Sequence, residues 1–63
     1  MNKLPEKLVL LRKHANLSQG DIASRLNVPV TEYMQWENGN SICSVVLLKR
    51  MADMFGITVD DLL

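Results

Sequence analysis

In five stretches of this chain, apolar positions recur every three or four residues, the period of a helix with one buried face. The first covers residues 5–15, with Leu4, Leu8, Leu11 and Ala15 on one face and Pro5 in the first turn, where its missing N–H is not needed. Ser18 opens the second: its hydroxyl can cap the helix while Asp21, three residues on, reaches back to the cap's own amide. Ile22, Ala23 and Leu26 mark that helix's buried face, and Asn27 closes it. The third, over residues 29–37, carries Tyr33 and Trp36 three apart and runs into Gly39, which supplies a left-handed stop. Ser44 caps a fourth in which Val45, Leu48, Ala52 and Phe55 share a face before Gly56 ends it. Thr58 and Asp61 repeat the cap pattern at the start of a short fifth with Val59, Leu62 and Leu63.

Only Asn27, Val28 and Pro29 separate the second and third stretches, so these two helices must meet at a steep angle across a short turn, as in a helix-turn-helix. Caps, stops and apolar stripes agree with one another throughout. The expectation is an all-α, compact five-helix domain occupying residues 1–63 as a single unit, either alone or as the N-terminal part of a longer protein. A chain of this length buries only about 60% of the surface its unfolded form exposes, so modest stability is expected.

Composition leaves the fold unchanged and narrows the function. With 48% hydrophobic and 22% charged residues the chain is globular in type. Charges in Met1–Lys7 stand where a secretion signal needs apolar residues, and the run Leu8–Leu11 is too short to span a bilayer. Asn16-Leu17-Ser18 fits a glycosylation triplet by chance, and the lone Cys43 offers no disulfide, so a cytoplasmic location is expected. The single His14 lies among Arg12, Lys13 and Asn16 with no second ligand at metal spacing. Asp60 and Asp61 suit the positive end of a helix and need no catalytic reading. No enzyme activity, metal, cofactor or small-molecule ligand is indicated.

Net charge is zero and the pI about 6.5, whereas nucleic-acid-binding domains often lie above about 9. The charge is uneven, however: residues 1–26 carry a net +3 and residues 27–63 a net −3. A molecule polarised in this way can turn a basic face toward a polyanion while remaining neutral overall.

The segments Leu17-Ser18-Gln19, Asp21-Ile22-Ala23, Leu26-Asn27-Val28, Trp36-Glu37-Asn38-Gly39 and Phe55-Gly56-Ile57-Thr58 carry a resemblance. From Leu8 to Leu63 the chain resembles the phage repressor and Cro type of helix-turn-helix domain, the XRE family, a lambda-repressor-like fold. The resemblance implies sequence-specific binding of double-stranded DNA by a transcriptional regulator, expected to be a repressor. Its third helix would lie in the major groove, its second would cross the backbone, and dimers would match two-fold operators with half-sites about 34 Å apart.

Carried over by position, Gln19 is expected to contact a phosphate at the start of the second helix. Asn38, Gly39 and Asn40 fall where the family's loop offers main-chain N–H groups to phosphates. Arg12 and Glu37 match positions that form a salt bridge holding the third helix. Tyr33 and Trp36 match core positions, with the Tyr33 hydroxyl also able to reach the DNA backbone. Val30, Thr31, Met34 and Gln35 match base-facing positions. Of these, only Gln35 can make a paired contact, suited to adenine; Thr31 can bond singly, and Val30 or Met34 can touch a thymine methyl. The chain departs from the pattern at Pro29, Asn40 and Cys43, where a polar cap, Lys and Pro are common, and Glu32 would repel phosphate. Direct readout is therefore expected to be sparse and the salt dependence shallow. Two rival readings stand beside this one: a protein-interaction module that keeps the fold without DNA affinity, and a targeting domain for a segment beyond Leu63. Homodimerisation is expected around the fifth helix, where Ile57, Val59, Leu62 and Leu63 exceed the needs of one small core.

Overall fold

The structure, a computed structural model, describes residues 3–63. Its regular elements among these residues are five helices: α1 (Leu4–His14), α2 (Gln19–Leu26), α3 (Val30–Asn38), α4 (Val45–Phe55) and α5 (Val59–Leu62). α3 packs against both α1 and α2, and α5 closes the other end against α4 and α1.

Local chemistry explains where each helix begins and ends. The Ser18 hydroxyl accepts from the Asp21 N–H at 3.0 Å while the Asp21 carboxylate accepts from the Ser18 N–H at 3.0 Å, a closed capping box. Thr58 and Asp61 close a second box on α5, and the Ser44 hydroxyl caps α4 through the Leu47 N–H. Asn27 ends α2 in the left-handed conformation at φ 59°, which its short polar side chain tolerates, and Gly39 ends α3 at φ 76°.

Four expectations need correction. α1 starts and stops one residue earlier than its apolar period suggests; Ala15 is its exposed C-cap, because Asn16 turns left-handed and the Leu17 N–H folds back to the Arg12 carbonyl at 3.1 Å. α3 spans residues 30–38, not 29–37, since Pro29 is extended (ψ 141°) and caps the helix only through its carbonyl, which accepts from Glu32 and Tyr33. Val45 does not join the buried stripe of α4; that stripe is Leu48, Met51 and Ala52, and Val45 and Val46 at the helix's start stay exposed. The apolar surplus expected at α5 is largely consumed internally. Leu62 is fully buried, Ile57 and Val59 pack half-buried against the core, and Leu63 alone of the four stays exposed.

The core draws on every helix, with Leu8, Ile22, Tyr33, Met51 and Leu62 fully enclosed. Cys43, in the loop after α3, is buried as a small apolar side chain, and burial pushes its thiol pKa up. No helix among the described residues is long and apolar enough to cross a membrane.

Candidate nucleic-acid interface

α3 turns two different faces to its surroundings. On the inward face Tyr33, Trp36 and Glu37 follow at i, i+3 and i+4, so they lie together over α1 and α2. Tyr33 and Trp36 meet edge to face, their ring centroids 5.8 Å apart. Beside them the Glu37 carboxylate gathers donors from three helices. Arg12 of α1 donates from Nε to Oε2 at 2.7 Å and from its second terminal nitrogen to Oε1 at 3.3 Å, a forked pairing. Gln19 of α2 donates from Nε2 to Oε1 at 2.9 Å, and the Tyr33 hydroxyl donates to Oε2 at 2.6 Å. The remaining arm of Arg12 donates to the Leu17 carbonyl at 3.0 Å and so anchors the α1–α2 turn as well.

The Glu37 side chain is 4% exposed and that of Arg12 15%, so this pair has left water almost entirely. Burial by itself pushes the Glu37 carboxyl upward, but the hydrogen bonds from Arg12, Tyr33 and Gln19, with the Arg12 charge, outweigh it and hold the group below the ordinary glutamate range. Glu37's hydrogen bond is the main reason that the Arg12 pKa is raised. Burial, reinforced by the bond to Glu37, pushes the Tyr33 phenol well above its usual value. All three groups therefore stay in one protonation state across the neutral range. The Tyr33 hydroxyl is committed to Glu37 inside a fully buried residue, which removes it from reach of a DNA backbone.

On the opposite face Val30, Thr31, Met34, Gln35 and Asn38 are all exposed. Their spacing of i, i+1, i+4, i+5 and i+8 makes them one continuous strip of α3. Val30 and Met34, at 40% and 38% exposure, are apolar groups open to solvent. Asn38 and Asn40 flank the left-handed Gly39 at the strip's carboxyl end, where the Asn40 N–H is already bonded to the Gln35 carbonyl at 2.9 Å. That bond takes the Asn40 amide away from the set of main-chain donors expected for phosphate. Gln19 sits half-buried at the first position of α2, beside the capped N-terminus.

Two features of this site escape sequence reasoning. The Gln19 amide is a structural partner of Glu37, across 18 positions and two helices, which no local pattern encodes. Arg12's grip on the Leu17 carbonyl is likewise a backbone contact with no residue-type signal. The Tyr33–Glu37 bond was within reach, since i and i+4 residues of one helix are neighbours.

α3 thus joins a locked inward face to an open outward strip on the second helix of a helix-turn-helix, and comparison with known proteins gives the same fold family. The sequence profile of a family described as "Helix-turn-helix" matches residues 8–62, and the chain belongs to this helix-turn-helix family, of the XRE type. It is 38% identical over 58 residues to the HTH-type transcriptional activator BcrR of Enterococcus faecalis, covering 92% of this chain and 28% of that protein. It is 30% identical over 60 residues to the cryptic phage CTXphi transcriptional repressor RstR of Vibrio cholerae serotype O1, covering 95% of this chain and 54% of that one. The chain thus spans about a quarter to a half of the length of these relatives. No solved structure gives a significant match.

Proposed function

We propose that this domain reads a short duplex sequence by laying the strip Val30, Thr31, Met34, Gln35 of α3 in the major groove, and that it does so in the cytoplasm as half of a symmetric pair. The observation that carries the reading is the division of α3: its inward Tyr33 and Trp36 are buried and its Glu37 is bonded to Arg12 and Gln19, and its outward groups are all exposed. Gln35 supplies the one paired hydrogen-bonding contact, matched to the N6 and N7 edge of adenine, while Val30 and Met34 favour thymine methyls. Gln19 has bonded one amide proton to Glu37, which leaves the other available to a phosphate near the α2 N-terminus, where the helix's own amides favour an anion. The side chains of Asn38 and Asn40 flank the strip as further phosphate contacts, while the Gly39 N–H, like that of Asn40, is bonded to a carbonyl of α3. Of the two relatives one is named an activator and the other a repressor; repression is the reading proposed for this chain.

Selection from a pool of random duplexes at low and physiological salt tests this. An A·T-containing motif should emerge, and Gln35→Ala should lose about 1–3 kcal/mol of discrimination at one base pair while keeping its non-specific binding. Gln19→Ala should weaken all sequences evenly. The exposed Val30 and Met34 also favour a second reading, a surface that binds protein and not DNA. Absence of binding at low salt, together with a protein complex lost on Val30→Ala/Met34→Ala, would establish that reading instead.

A further inference from the structure

We infer that the Asn38-Gly39 bond is a site of self-modification, in which the Gly39 nitrogen attacks the Asn38 carboxamide and leaves a carboxylate at the end of the reading strip. The consequence for binding rests on the DNA reading above; the chemistry does not. Of the five asparagines, Asn38 alone precedes a glycine. Asn16, Asn27 and Asn40 are followed by Leu17, Val28 and Ser41, whose Cβ atoms crowd the approach of the backbone nitrogen to the side-chain carbonyl. The fold itself calls for glycine at position 39. A Cβ there would stand 3.6 Å from Pro5, in ordinary contact, so the demand comes from the left-handed φ of 76° and not from lack of room. The residue that ends α3 is therefore the one that makes the preceding asparagine labile.

Position sets the timing. Asn38 is exposed and is the last residue of α3. The Gly39 N–H is shared between the Gln35 and Trp36 carbonyls, the second at 3.3 Å, so attack waits until this last turn opens. Openings at helix ends cost far less than global unfolding. Base then removes the Gly39 amide proton, the nitrogen bonds to the Asn38 Cγ, and Nδ2 departs as ammonia, which closes a five-membered imide. Water opens the ring at Cγ to give aspartate, or at the main-chain carbonyl to give isoaspartate. Neither oxidant nor cofactor enters, and the chain, neutral before, gains one negative charge. The new carboxylate replaces an amide donor at the strip's phosphate flank and repels the DNA backbone there. Val30, Thr31, Met34 and Gln35 are untouched, so every duplex sequence should weaken alike. A bound duplex would hold the last turn closed, which confines the reaction to the free protein.

Peptide mapping by mass spectrometry after incubation at neutral and at alkaline pH, with no DNA present, tests the chemistry. Asn38 should convert to the acid before any other asparagine and faster at the higher pH, and Asn38→Gln should stay unmodified at this position. Aged protein, separated from fresh by ion exchange, should bind unrelated duplexes about fivefold more weakly, and freshly made Asn38→Asp should show the same even loss. Conversion at Asn38 no faster than at Asn16, Asn27 or Asn40 would overturn the inference, as would modified protein that binds as tightly as fresh. If fresh protein binds no duplex at low salt, the DNA reading has failed, and the mass mapping alone decides the modification.

Discussion

The inward and outward faces of α3 share one backbone and differ in how their polar atoms are committed. Inward, both carboxylate oxygens of Glu37 are occupied, by Arg12, Gln19 and Tyr33. Outward, Thr31 and Gln35 are exposed beside two apolar neighbours. The inward face costs desolvation and repays it in a fixed angle between helices. The outward face costs the fold nothing and leaves its polar groups to a partner. The groups that hold the fold and the groups left exposed are thus placed on separate side chains less than one helical turn apart.

Changes that break the inward face should have the largest effect. Glu37→Ala leaves the nearly buried Arg12 guanidinium without its counter-charge, a loss of about 3–5 kcal/mol. Since a domain of this size has only about 3–9 kcal/mol in total, urea unfolding should show it at or near the folding threshold. Thr31→Ala on the outward face should stay within about 0.5 kcal/mol of the parent. A Glu37→Ala variant as stable as Thr31→Ala would mean that the two faces do not differ as described.

Acid should erode the same network more gently. Because Glu37 is held below its reference value of 4.5 when folded, its contribution is complete above that value and is lost as pH falls below it toward the folded pKa. The urea midpoint should therefore drop on acidification below about pH 4.5. Glu37→Gln, starting from a lower midpoint, should show a shallower drop; an identical slope would remove Glu37 from the account. Among changes to the inward face the smallest expected effect belongs to Tyr33→Phe, which deletes one of three donor groups to a carboxylate that keeps Arg12 and Gln19, and should cost about 1 kcal/mol while leaving half-site affinity unchanged.

The architecture was legible in the sequence because its signals are local. Ser18 with Asp21, Thr58 with Asp61, Gly39 and Gly56 each act within four residues, and each sits where its chemistry requires. The boundaries slipped by one residue at α1 and α3 because an apolar period cannot register a left-handed Asn16 or an extended Pro29. The site was less legible. The Arg12–Glu37 pairing was implied by family likeness alone, and Gln19's bond to Glu37 depends on how α2 crosses α3, a tertiary fact. Val45 and the α5 residues misled for a related reason: an apolar residue at the right period says that it could be buried, not that another element arrives to cover it.

The lock around Glu37 has a consequence for how such a domain can change over time. Because no side chain of Val30, Thr31, Met34 or Gln35 contributes to that lock, these four positions can be rewritten with little debt to folding, and on the proposed reading the operator could change while the fold is kept.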